Sequence, residues 1–224
     1  MQSIRAHLAE SARFDSDPVH APIVSEQTQA TSPVAVPSVA AFRERLESVG
    51  GHCVTVRDED EAARALAGIV SELQGKNAAN RIALSDAPLV ADLTRGITGA
   101  EITVCPAPSD LFSYDVGIST AQAGIAETGT LILEVEKERH RLVSLLPPVH
   151  IAIVKSGDLH LTIGDALTAL RGNDKNSLSR AITFITGPSR TADIELTLTV
   201  GVHGPKELHV IVIDGQTTDA QQAA

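Results

Sequence analysis

A chain of 224 residues suits one α/β domain with an N-terminal extension, and a body of about 185 residues buries a continuous core without disulfide or metal staples. A net charge of −10, scattered basic residues, four Phe, one Tyr and no Trp leave no basic face and almost nothing for bases to stack on, which disfavours nucleic acids and anionic membranes as partners. Two cysteines, Cys53 and Cys105, cannot supply the four thiolates of an iron–sulfur cluster or a zinc ribbon, so both are expected as buried core thiols and no metal is expected in this chain.

Residues 1 to 13 place Ile4, Leu8 and Ala12 at four-residue spacing, enough for a short amphipathic helix. Beyond Asp15, four prolines, Pro18, Pro22, Pro33 and Pro37, forbid a regular element, so residues 1–37 read as an extension ending in a Pro-rich linker. No apolar run of signal length follows Met1 and none reaches spanning length, which predicts a cytoplasmic protein without membrane insertion.

Ser38 is a fitting N-cap for a helix over Val39 to Val49, closed by Gly50 and Gly51. His52 to Val56 reads as a strand. Asp58, Glu59, Asp60 and Glu61 then place carboxylates in the first turn of a helix reaching about Leu73, where they complement its dipole. A strand at Arg81 to Leu84, a helix near Pro88 to Arg95 capped by Ser85 and Asp86, and a strand at Glu101 to Val104 continue the alternation. Such alternation predicts βαβ units, hence an α/β fold with a mainly parallel sheet flanked by helices.

The second half is richer in strands. Val116 to Ala121 and Thr130 to Glu134 flank a glycine-containing turn, while Val149 to Val154 and Ala181 to Thr186 are apolar, β-branched runs suited to burial. A helix is predicted over Leu161 to Arg171 and a last strand over His209 to Asp214, giving a domain at 38–214 and a flexible tail at 215–224.

No Walker loop, strand-linked GxGxxG, HExxH or GxSxG is present, so nucleotide-binding, zinc-protease and serine-hydrolase readings lose their main support. Three polar, glycine-containing segments lie beside apolar strands, the neighbourhood in which α/β folds hold ligands. In Gly124 to Thr130, Glu127 with the Thr128 and Thr130 hydroxyls could bind a polyol or move a proton, and a hairpin turn with a solvated Glu is the plain alternative. In Thr186 to Glu195, Ser189 at a helix start together with Arg190 would make an anion site for a carboxylate or phosphate; simple capping, with Arg190 paired to Asp193 or Glu195, is the alternative. In Gly201 to Pro205, His203 could carry a proton or serve only the turn. The charge run Glu134 to Arg141 reads as a solvated face, with Arg139, His140 and Arg141 as further candidates for an anion pocket.

Taken together, Ala126-Glu127-Thr128-Gly129-Thr130, Pro147-Pro148-Val149-His150, the run from Thr186 to Glu195 and Gly201-Val202-His203-Gly204-Pro205 resemble the LUD domain, in its lactate-utilisation protein C branch, over about residues 38–214. The resemblance implies a fold like that of ribose-5-phosphate isomerase, glucosamine-6-phosphate deaminase and the CoA transferases. It also implies a part in oxidising L-lactate to pyruvate beside two partner proteins that carry iron–sulfur clusters, this chain being the cluster-free subunit. The polar members of the matching motifs, Glu127, Arg190, Asp193 and His203, are expected to converge on one pocket. Arg190 would face a carboxylate and Glu127 or His203 would move a proton, with Thr128, Gly129, Thr130, Gly187, Ser189 and Thr191 contacting the ligand. Two other function classes remain open: a stand-alone enzyme on a sugar phosphate or CoA ester, and a non-catalytic module that senses a carboxylate. Whether the chain is catalytic by itself, and whether it forms a homo-oligomer, are also open at this level.

Overall fold

A computed structural model describes residues 37–135, 141–171, 179–192, 198–200 and 204–215. The predicted first helix, the Pro-rich linker before residue 37, the tail beyond 215, and Arg139, His140, Asp193 and His203 lie outside the described residues.

Helix α1 (Val39–Ser48) starts as predicted: the Ser38 hydroxyl accepts the Ala41 N–H at 3.0 Å, and Phe42 and Leu46, four apart, face inward. Its chain leaves through Gly50 at φ +89°, a left-handed exit that suits glycine. Strand β1 (His52–Val56) leads to α2 (Glu59–Gly75), where Asp58 accepts the Glu61 N–H at 2.7 Å and three acidic residues fill the first turn. Ala62, Leu66, Val70 and Leu73 form its buried stripe.

Strand β2 (Arg81–Leu84) runs into α3 (Pro88–Leu93), a single short helix with proline in its first turn. The expected Ser85–Asp86 cap is not made: Ala87 occupies the N-cap without a side-chain bond, because proline has already fixed the turn. Strands β3 (Glu101–Val104) and β4 (Val116–Thr120) follow, then β5 (Ala123–Ile125) and β6 (Thr130–Glu134). The chain continues through β7 (Val149–Lys155), β8 (Leu159–His160), α4 (Ile163–Arg171), β9 (Ile182–Ile185), β10 (Arg190–Ala192), β11 (Leu198–Val200) and β12 (Glu207–Ile213).

Six strands form one sheet in the order β1-β12-β7-β4-β2-β3, every pair parallel. This is the mainly parallel α/β architecture expected. Alternation along the strands divides the core. Ile151, Ile153 and Ile211 join Ile82, Ile118, Leu66 and Val70 on the α2–α3 side, whereas Ala152, Val154, Val210 and Val212 join Phe42, Leu46, Leu131 and Leu133 on the α1–β6 side. Covered on both faces, β7 and β12 need apolar residues at nearly every position, which is why they read as continuous β-branched runs.

A second sheet, β8-β5-β6-β9, departs from the simple hairpin expected between Val116 and Glu134. Val116–Thr120 stays in the large sheet, and Ala123–Ile125 breaks away to pair antiparallel with β6. Ser189 leads into the β10–β11 hairpin and not a helix. Of the cysteines, Cys53 is buried as expected, and burial pushes its thiol up to about 11, whereas Cys105 is only half-buried at φ +49°.

Candidate functional site

The strand order creates a crevice. From β2 the chain moves outward to the edge strand β3, then returns across β2 to β4 and continues inward to β7. Connections leaving β2 and β4 therefore diverge, and at such a reversal the carboxyl ends of parallel strands leave room for a ligand. A cleft of about 610 Å³ opens here, lined by Asp86 beyond β2, Thr120 and Gln122 at the end of β4, and Lys155 and Asp158 at the end of β7. Its size is in the range of small-molecule sites.

Strand pairing fixes the backbone around the cleft. The Ser85 N–H donates to Ile118 and the Ala121 N–H to Ile153, so pairing extends to the mouth of the cleft. Gln122 sits where the chain passes from the large sheet to the small one: its N–H donates to the Ile132 carbonyl at 2.9 Å. Its side-chain Oε1 accepts the Glu134 N–H at 2.7 Å, and its Nε2 donates to Thr120 Oγ1 at 3.3 Å. The Lys155 ammonium is 3.7 Å from Glu59, both side chains 57 % exposed, an ion pair too solvated to tie the ammonium down. Two carboxylates, one ammonium, a hydroxyl and an amide can together bind a small polar molecule and exchange a proton with it.

Residues singled out in the sequence lie elsewhere. Glu127, Thr128 and Thr130 come together at a notch of about 230 Å³, beside Thr186 and the half-exposed Ile163 and Phe184. Thr130 Oγ1 lies 2.7 Å from both Thr128 Oγ1 and Thr186 Oγ1, a short chain of hydroxyls. Arg190 is not part of this lining. Its guanidinium donates to the Val49 carbonyl at 2.7 Å, closing the C-terminal end of α1.

The motif glycines serve the same helix. A Cβ on Gly129 would fall 2.3 Å from the Leu46 nitrogen and one on Gly187 would fall 2.9 Å from the Val49 carbonyl; both residues have positive φ. The Ser189 N–H donates to Pro205, which fixes the turn into β10. Thr191 lies within β10.

Two histidine arrangements escaped sequence reading. On β7 the fully buried His150 lies with Nε2 2.9 Å from Ser119 Oγ, and burial holds its ring down to about 3. One register position along, on the neighbouring strand β12, His209 stacks against His52 of β1 at 4.8 Å in a pocket of about 290 Å³; burial, then the neighbouring His52, lowers His209. Among the described residues no group of His, Cys, Asp and Glu is arranged to hold a metal ion. None of their helices is long and apolar enough to cross a membrane.

The chain is 39 % identical over 102 residues to lactate utilization protein C of Oceanobacillus iheyensis and 42 % identical over 103 residues to that of Bacillus subtilis. Each match covers 45 % of this chain and under half of the relative, 44 % and 43 % respectively. The crystal structure of a DUF162 family protein from Deinococcus radiodurans superposes with a TM-score of 0.56 at 22 % identity, covering 78 % of this chain and 94 % of that one, a likeness of fold. The model of the LUD domain matches residues 39–213, from the start of α1 to the end of β12, and the chain belongs to that family.

Proposed function

We propose that this chain serves a system oxidising L-lactate to pyruvate, as a subunit that carries no iron–sulfur cluster and binds the small acid in the cleft at the ends of β2, β4 and β7. The carrying observation is that cleft, a polar site at the reversal of strand order in a chain whose relatives are named lactate utilization protein C. Lys155 would face the carboxylate, and Asp86 or Asp158 would accept the hydroxyl proton. Turning a hydroxy acid into a keto acid also releases electrons. The C2 hydrogen and both electrons leave to an oxidant held by iron–sulfur partner proteins, because the two cysteines in this sequence fall short of the four a cluster takes.

The notch at Glu127, Thr128 and Thr130 supports a second reading, in which the motif loops hold the ligand, its hydroxyls read by the threonine chain and a proton moved by Glu127. Asp193 and His203, which the sequence adds to this reading, lie outside the described residues.

Deleting the gene in its native host is expected to abolish growth on L-lactate while leaving growth on pyruvate intact. A tagged chain is expected to retain iron–sulfur proteins on purification. Unchanged growth on L-lactate would overturn the assignment.

A further inference from the structure

We propose that Gln122 is the specificity-determining residue of the cleft, its carboxamide turned so that it offers only N–H groups to a bound molecule and so selects a ligand oxygen that accepts hydrogen bonds, as a carboxylate or keto oxygen does. This rests on the cleft being the ligand site. The orientation follows from the backbone. Gln122 Oε1 lies 2.7 Å from the Glu134 N–H, a donor that cannot change its nature. Turning the amide over would bring its NH2 against that N–H, setting donor against donor inside the protein, at a cost comparable to losing a buried hydrogen bond. The NH2 is therefore fixed on the Thr120 side, where both residues line the cleft.

The residue is held at both ends. Its own N–H is spent on Ile132, and its side-chain oxygen is spent on Glu134, one residue beyond Leu133 on the same strand. One N–H of the amide reaches Thr120 Oγ1 across a long 3.3 Å, and among the described residues the other has no hydrogen-bond partner. Lys155 adds a positive charge to the same cleft, while Asp86 and Asp158 repel a ligand that brings more than one negative charge. Together these favour a monocarboxylate over a phosphate ester.

Gln122→Glu tests the proposal with little change of shape. A glutamate at this position still accepts the Glu134 N–H through one oxygen, and it turns the other, an acceptor with negative charge, toward the ligand. In nuclear magnetic resonance titrations of the full chain, L-lactate and pyruvate are each expected to move the Gln122 side-chain NH2 signals. Their affinity should fall at least tenfold in Gln122→Glu, with the melting temperature preserved.

If the acids perturb Thr120 and Lys155 yet bind Gln122→Glu as well as the unsubstituted chain, the proposal falls while the cleft assignment stands. If neither acid perturbs any cleft residue, both fall together. Should the variant fail to fold, the Gln122 NH2 signals of the unsubstituted chain decide: no movement on binding overturns the proposal.

Discussion

Gly117→Ala is expected to destabilise the domain by about 3 kcal/mol or more, at the upper end of what overpacking a core costs. Gly117 is the second residue of β4, where an added Cβ would sit 1.9 Å from the Val143 carbonyl oxygen. The neighbouring atom is backbone, so no rotamer change relieves the contact. Either the turn at Arg141–Ser144 lifts away from the sheet or β4 moves, and β4 is paired to β2 on one side and β7 on the other. Urea denaturation measures the loss directly. Gly68→Ala is the matched control: it sits inside α2 with nothing within 4 Å of the added methyl, and alanine there should stabilise by about 0.5–1 kcal/mol. Opposite signs for the same substitution at the two sites are the expected result. A loss under about 1 kcal/mol at Gly117 would mean the turn yields freely.

Acid is expected to weaken the fold through His150. The ring is fully buried, with Ser119 Oγ at Nε2 and no partner for Nδ1 among the described residues. A neutral ring that donates its Nε2–H to the serine leaves Nδ1 as a bare lone pair, which is the less costly atom to bury. Above pH 6.5 this ring is neutral in both the folded and the unfolded chain, and its contribution does not change with pH. Between 6.5 and about 3 the unfolded chain takes up a proton that the folded chain refuses, so stability falls as pH falls. The slope is about 1.4 kcal/mol per pH unit, and the full span approaches about 5 kcal/mol. His209, also lowered by burial, adds a loss of the same sign. His150→Gln keeps a partner for Ser119 without a titrating ring, and unfolding measured at pH 7.5 and 4.5 should show a smaller loss in the variant by about 3 kcal/mol. An unchanged difference between the two pH values would show that His150 does not control acid stability.

Much of the fold is written in local sequence. Ser38 announces its helix because an N-cap needs only a side chain and a nearby N–H, the acidic run from Asp58 announces the next because carboxylates suit a helix start, and its first member turns out to be the cap; the strands of the large sheet stand out because burial on both faces demands apolar, β-branched runs. The cleft is not local. Asp86, Gln122 and Lys155 come from three separate segments, and they meet only because β4 inserts between β2 and β7. No spacing rule within one segment encodes that insertion. The signal nearest to it was the polar pair Ser85-Asp86 directly after a strand, which also reads as a cap.

The glycine-containing motifs were legible for a different reason. Gly129 and Gly187 stand out because glycine is required there, and in the structure the requirement comes from the close approach of α1. Arg190 looks like an anion contact in sequence, and in space its guanidinium meets a helix-terminal carbonyl at Val49. A helix C-terminus and a carboxylate attract the same guanidinium, so only position separates the two uses.

Whether the ligand lies at the ends of β2, β4 and β7 is tested most directly by calorimetric titration of L-lactate and pyruvate into the full chain and into Lys155→Met and Arg190→Met. The cleft assignment predicts that Lys155→Met weakens binding at least tenfold while Arg190→Met binds as the unsubstituted chain does. Binding lost in Arg190→Met and retained in Lys155→Met would contradict it and place the ligand in the motif loops.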